Sequence, residues 1–365
     1  MRSRPAWRAG IVGIAALTAG ALALFLSGPA DAAIGQRVKV VNLVTDQKGK
    51  APLVDPLLKN PWGLALSPTG PLWVADNGSN YATVYAGGVG ANPATKVNLN
   101  VWVDGGSPTG QVFNDSTTFI IPPRAPAPAG KAVFMFASES GNITAWSPAV
   151  SPNHAVVVAH VPGAVYKGLA ILHFGSTAVL LAADFKNNRL DVFDGMFHHL
   201  VAYSRFFTDP KLPKGYAPFN VTPAPGGRGV YVAYAKVDPK TFDEVAGPGL
   251  GFVDFFDGFH NTPVRIASHG TLNAPWGLAT APAGWGKLAG ALLVGNFGDG
   301  RIGAYKGGKF LGLLRDARGP IKIEGLWGLQ PGTANTGGTN AVWFSAGPGD
   351  EEHGLVGKIV PAATY

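Results

Sequence analysis

The sequence predicts an all-β fold of short strands stacked in repeated four-stranded units. Three observations predict it. One phrase recurs six times at intervals of roughly fifty residues, clearest from Asn60 to Gly88 as NPWGLALSPTGPLWVADNGSNYATVYAGG. Within each copy, apolar strand-like runs are separated by Gly-rich or Asx-rich turns such as Asp76-Asn77-Gly78. The chain carries 51 Gly and 30 Pro to make those turns, and its 46% hydrophobic content argues against disorder. A repeat of this length built of short strands reads as blades, so the expectation is a six-bladed β-propeller with four-stranded blades.

The elements follow in chain order. Residues 1–32 read as a signal peptide. Arg2, Arg4 and Arg8 give a positive start, an apolar run extends from Ala9 to Leu26, and Ala30-Asp31-Ala32 ends it with small residues. The run is just long enough to span a bilayer, so a retained anchor is the alternative. The absence of Cys excludes anchoring through a lipidated cysteine, and there is no twin-arginine pair. Residues 33–365 are expected to form one secreted or extracytoplasmic domain, with no stable membrane insertion after signal cleavage.

In the first repeat Trp62 to Leu66 is the inner strand, followed by Leu72 to Ala75, Ala82 to Tyr85 and Val97 to Val103. Strand alternation puts Trp62, Leu64 and Leu66 on one face and Gly63 and Ala65 on the other. The second repeat is looser and begins near Asn114. The third runs from Tyr166 to Asp194, the fourth begins near Tyr216, and the fifth runs from Asn273 to Tyr305. The sixth, from Leu326, supplies three strands. The strand-like segment Val38 to Val44 is expected to complete that last blade, which closes the ring and removes open edges.

Composition removes several functions. Net charge is +7, or +5 once Arg2, Arg4, Arg8 and Asp31 are set aside, and the basic residues are scattered. A nucleic-acid partner requires a clustered basic stripe, so none is expected. No His pair has metalloprotease spacing, no G-x-S-x-G elbow occurs, and the Gly-rich runs lack the Lys-Ser/Thr of a phosphate loop. A monomer is expected.

The segment PWGLALSPTGPLWVADNGSNYATVY resembles the NHL-type propeller repeat, in which a Gly-Val/Leu-Ala strand precedes a V-A-D-x-x-N/G turn. Over residues 38–361 the chain resembles secreted bacterial NHL-like six-bladed propellers, a family of unsettled activity. Copies two and four depart from the pattern, with Ser138-Glu139 and Tyr234-Ala235-Lys236 at the turn. The repeat places Asp76, Asn77, Glu139, Asp184, Lys236 and Asn296 at second-strand ends, on the face where a propeller pocket opens. These are the ligand-binding candidates. The plainer reading is that Asp76, Asn77, Asp184 and Asn296 are turn formers. The connections into the inner strands add Asn60, Asp115, Lys167, Asn220, Asn273 and Glu324.

The related lactonase-type propellers hold calcium near the axis with Glu, Asp and Asn residues. That resemblance implies Glu139, Asn220 and Asn273 as metal ligands, and calcium as the cofactor if there is one. Two insertions, Lys236 to Gly249 and Gly347 to Gly354, enlarge the same face. The leading expectation is a binding or scaffold module for a small polar ligand, a glycan or a protein. The alternative is a calcium-dependent hydrolase or lactonase.

Overall fold

The computed structural model describes residues 36–258 and 262–362. The expected signal segment, residues 1–32, lies outside them. The described residues are built almost entirely of largely antiparallel sheets arranged in a propeller-like manner, most of them meanders in sequence order. The first meander is Pro61–Leu66, Leu72–Asp76, Tyr81–Gly87 and Ala94–Val103. The second is Pro108–Phe113, Phe134–Ser138, Asn142–Trp146 and His154–His160. A short parallel pairing of Trp102 and Val103 with His154 and Ala155 joins the outer strands of these two. The fourth meander is Tyr216–Pro223, Gly229–Val237, Phe252–Asp257 and Val264–Ser268, and the fifth is Pro275–Thr280, Leu292–Asn296, Ile302–Lys306 and Lys309–Leu313.

Two sheets differ from the sequence expectation. The second meander begins at Pro108–Phe113, ahead of the expected Asn114. The segment PTGQVF keeps the repeat's glycine, Gly110, but has Thr109 where the clearest copies have Trp, so its phase is hard to see. The third sheet has three strands, Tyr166–Phe174, Thr177–Asp184 and Arg189–Phe193. A short 3-10 helix, Val201–Phe207, follows instead of a fourth strand. Asp194 sets a tight turn, its Oδ1 accepting the backbone N–H groups of Met196 and His198, and the returning chain makes one bridge, His199 with Phe193, before the helix begins.

The last meander, Leu326–Pro331, Val342–Ala346 and Leu355–Pro361, takes its outer strand from the other end of the domain. Val38–Thr45 pairs antiparallel with Leu355–Pro361, from Val38 opposite Pro361 to Thr45 opposite Leu355.

The first strand of each meander repays a closer look. In all six, the pairing register with the second strand shifts at one place. Such a bulge re-aims the side chain that occupies it. The residues at the shifts are Trp62, Thr109, Lys167, Phe219, Trp276 and Trp327. Simple alternation therefore fails at Trp62. It joins a buried cluster with Phe219, Trp276 and Trp327, while Leu64 packs with Leu72, Val74 and Trp343.

The residue after each bulge explains the repeated glycine. A β-carbon on Gly277 would sit 2.6 Å from the Trp327 carbonyl oxygen, and one on Gly328 would sit 2.6 Å from the Trp62 carbonyl oxygen. Gly63 abuts Thr109, Gly110 abuts Gly168 and Leu169, and Gly168 abuts Asn220 in the same way. Asn220 stands where the others have glycine, and its amide donates to the Trp276 carbonyl at 2.8 Å. Each of these first strands thus approaches the next more closely than a β-carbon allows.

Candidate functional site

The bulged positions build the site. Trp62 stacks on Trp327 with ring centroids 3.5 Å apart, and Trp276 sets its edge against both at 6.0 and 5.7 Å. Phe297 stacks on Trp327 at 4.1 Å. The Trp327 indole N–H donates to Asn60 Oδ1 at 2.9 Å, and that of Trp276 donates to the Lys167 carbonyl at 3.0 Å. The Trp62 indole N–H is buried without a hydrogen-bond partner.

Lys167 occupies the corresponding place in the third sheet, and its side chain is 2% exposed. The ammonium lies 5.0 Å from the Trp62 ring centroid, a cation–π contact. It donates to Glu139 Oε1 at 2.6 Å, and the carboxylates of Asp243 and Glu244 lie 3.9 Å away. Asn77 donates to the second oxygen of Glu139 at 3.2 Å, and Asn60 donates to Glu351 Oε2 at 2.7 Å. Burial alone would lower the Lys167 pKa, but the charges of Glu139 and Glu244 overcome it and hold the pKa above the usual lysine value. Burial pushes the Glu244 carboxyl up to about 7 against the pull of Lys167, with Glu351 and Asp243 adding repulsion. The Lys167 ammonium therefore sits among three carboxyl groups drawn from the second and fourth sheets, and Glu351 adds its charge next to Glu244.

The sequence candidates divide. Asn77 and Glu139 belong to this cluster. Asp184 accepts the backbone N–H groups of Val165 and Asn187, and Asn296 bonds the Asn273 N–H, the Thr271 carbonyl and Asp299, so both hold turns. Asp76 is fully buried beside Thr83, and burial pushes its carboxyl well above the usual range. Lys236 is exposed, and the cation that meets Glu139 is Lys167. Asp115 lies past the end of its strand, where His173 Nε2 bonds it at 2.8 Å.

The residues proposed to hold calcium do not fit that ion. The Lys167 ammonium holds Glu139, and Asn220 is engaged by the Trp276 carbonyl and the Val221 N–H. Asn273 Oδ1 accepts the Gly247 N–H at 2.6 Å. A calcium shell needs six to eight converging oxygens. Among the described residues, no group of three or more His, Asp or Glu side chains has the geometry to hold a metal.

Sequence reasoning passed over Asp243 and Glu244 as individual residues, while Glu351 stands in the charged run Asp350-Glu351-Glu352-His353 of the second insertion. Their signal was the two insertions, because Asp243 and Glu244 lie in the first and Glu351 in the second. Lys167 carried a sharper signal: it precedes a Gly-Leu pair, as Trp does in three other copies.

No family model matches the chain. It is 32% identical over 331 residues to "Uncharacterized protein L690" of Acanthamoeba polyphaga mimivirus, covering 88% of this chain and 85% of the relative. It is 31% identical over 330 residues to "Uncharacterized protein R648" of the same virus, covering 88% and 80%. The chain belongs to the family of these two proteins. Among solved structures it is similar to a streptogramin B lyase, at 12% identity and a TM-score of 0.47, over 89% of this chain and 97% of that one. A PQQ-bound aldose sugar dehydrogenase from Streptomyces coelicolor matches at 15% identity and a TM-score of 0.48, over 89% and 99%. At such scores the likeness carries no argument about chemistry.

Proposed function

We propose that the chain is an exported binding module that takes a small polar ligand at the Lys167 cluster. The observation that carries the reading is the convergence of Glu139, Asp243 and Glu244 on one buried ammonium beside an indole stack, with Glu351 adding negative charge next to Glu244. Carboxylates in excess of cations favour a ligand that brings positive charge or several hydrogen-bond donors. The proposal includes six blades around one axis, closed by Val38–Thr45. The circuit of close contacts from Gly63 through Gly328 and back to Trp62 supports it. Export rests on the pattern of residues 1–32, and a mature N-terminus near Ala33 on secreted protein is the result that supports it.

Calorimetry with glucosamine, glucose and gluconate tests the ligand class. Glucosamine is expected to bind, gluconate is not, and Glu139→Gln should weaken glucosamine at least tenfold. If no probe binds the folded protein at millimolar concentration, or gluconate binds best, the reading fails. The calcium-dependent hydrolase is the second reading, and the ammonium held by Glu139 speaks against it. Chelator-treated protein titrated with millimolar calcium should give no heat and no change in melting temperature; a saturable heat would restore that reading.

A further inference from the structure

A surface patch beside the third sheet takes no part in the Lys167 cluster. Where the other sheets carry a fourth strand, this one ends in the turn at Asp194 and the 3-10 helix Val201–Phe207. Ser204 and Phe207 are the buried residues of that helix, so its other sides face solvent. Six large hydrophobic side chains are exposed among the described residues. Three of them stand here within a few positions of one another: Met196 at 55%, Val201 at 65% and Tyr203 at 52%. The Tyr203 and Phe206 rings pack with centroids 5.8 Å apart, and the Arg205 guanidinium lies over the Phe206 ring at 5.1 Å. Exposed apolar side chains that gather in one place, rather than standing singly, mark a contact surface.

The charge around the patch is one-sided. From residue 195 to residue 237 the only acid is Asp209. Its side chain is buried: it accepts the Lys211 backbone N–H at 2.8 Å and pairs with Arg265 of the fourth sheet. Asp194, just before the stretch, is engaged by the backbone N–H and the ring of His198. Arg205, Lys211 and Lys214 are exposed, and no carboxylate among the described residues pairs with them. Three cations therefore accompany the exposed apolar side chains, with no unengaged carboxylate between them.

We infer that the segment from Met196 to Lys214 adsorbs to an anionic lipid surface, with Val201 and Tyr203 at the headgroup level and Arg205, Lys211 and Lys214 against the lipid phosphates. Two features favour lipid over a protein partner. Three exposed apolar side chains fall far short of the roughly 800 Å² per partner that a stable protein interface buries. A lipid surface needs less, because it combines a small apolar burial with attraction to several cations. Residues 196–214 also line none of the larger cavities among the described residues, so the patch offers projecting side chains and not a recess. The contact is peripheral, and it does not rest on the ligand reading at Lys167.

Site-specific fluorescence with lipid vesicles tests this. Residues 33–365 form one compact unit that holds all seven hydrophobic clusters, so the test uses that unit without the apolar segment 9–26. The chain has no Cys, so Val201→Cys supplies a single attachment point for a nitrobenzoxadiazole label. Ala317→Cys, in an exposed loop beyond the fifth meander, supplies the control. Phosphatidylglycerol vesicles should brighten the label at 201 at least twofold. Phosphatidylcholine vesicles should leave it unchanged, and the label at 317 should respond to neither. Lys211→Glu combined with Lys214→Glu should weaken vesicle binding at least tenfold, and Tyr203→Ser at least threefold. These side chains are exposed, so the variants should keep the parent's melting temperature. The inference is overturned if phosphatidylglycerol leaves the label at 201 unchanged, if both labels respond alike, or if the folded double variant keeps its affinity. It is also overturned if polyglutamate binds more tightly than the vesicles at equal concentration of negative charge, which would point to an acidic protein instead.

Discussion

Lys167 shows how much one residue can depend on its neighbours. Its side chain is buried, and its charge is tolerated because Glu139 bonds it and two more carboxyl groups stand nearby. Removing one partner of a buried pair leaves the other uncompensated, at a typical cost of about 3 kcal/mol. Lys167→Met is therefore expected to lower the unfolding free energy from urea titration by that order, and adding Glu139→Gln should recover part of the loss. Glu244 makes a pH prediction. Burial pushes its carboxyl up to about 7, well above the ordinary glutamate range, so the folded state holds its proton more tightly than the unfolded chain does. The stability this group contributes is full below the unfolded value and is lost as pH rises towards 7. Thermal midpoints measured between pH 4 and 8 should fall less steeply for Glu244→Gln than for the parent. Neither residue's role was legible from the sequence. The Lys is visible at a repeat position, but only the bulge aims it inward, and its acidic partners arrive on insertions that have no repeat to reveal them.

The inner strands were more legible than the residues they present. The bulky-Gly-Leu pattern marks four of them, because each needs a glycine where the next strand's backbone comes within a β-carbon's reach. Gly277→Ala should push the Trp327 carbonyl away and cost about 2 kcal/mol, the usual penalty for overpacking. Gly307→Ala is the control, since it has open space around it and lies in an exposed turn, although its positive φ adds some strain of its own. Denaturant titration should show the larger loss at Gly277. The pattern fails where another residue does the glycine's work. Asn220 makes the strand-to-strand contact through its side chain, and Thr109 replaces the Trp that would have marked the second meander. The missing strand of the third sheet was illegible for a different reason: the turn set by Asp194 is local chemistry with no counterpart in the other copies.

Across the whole molecule, burial without disulfides carries the fold, in seven hydrophobic clusters among the described residues. The pairing of Val38–Thr45 with Leu355–Pro361 was anticipated because the last repeat is one strand short. That pairing brings Arg37 and Ala362 together: the Ala362 N–H donates to the Arg37 carbonyl at 2.8 Å. The two ends of the domain therefore leave from one spot, and the order in which the sheets are encoded becomes arbitrary. A circular permutant that links Arg37 to Ala362 through a short Gly-Ser bridge, and opens between Gly307 and Gly308, should keep the same strand neighbours. It should melt within a few degrees of the parent, and refold faster, because a pairing between distant segments becomes a hairpin between adjacent ones.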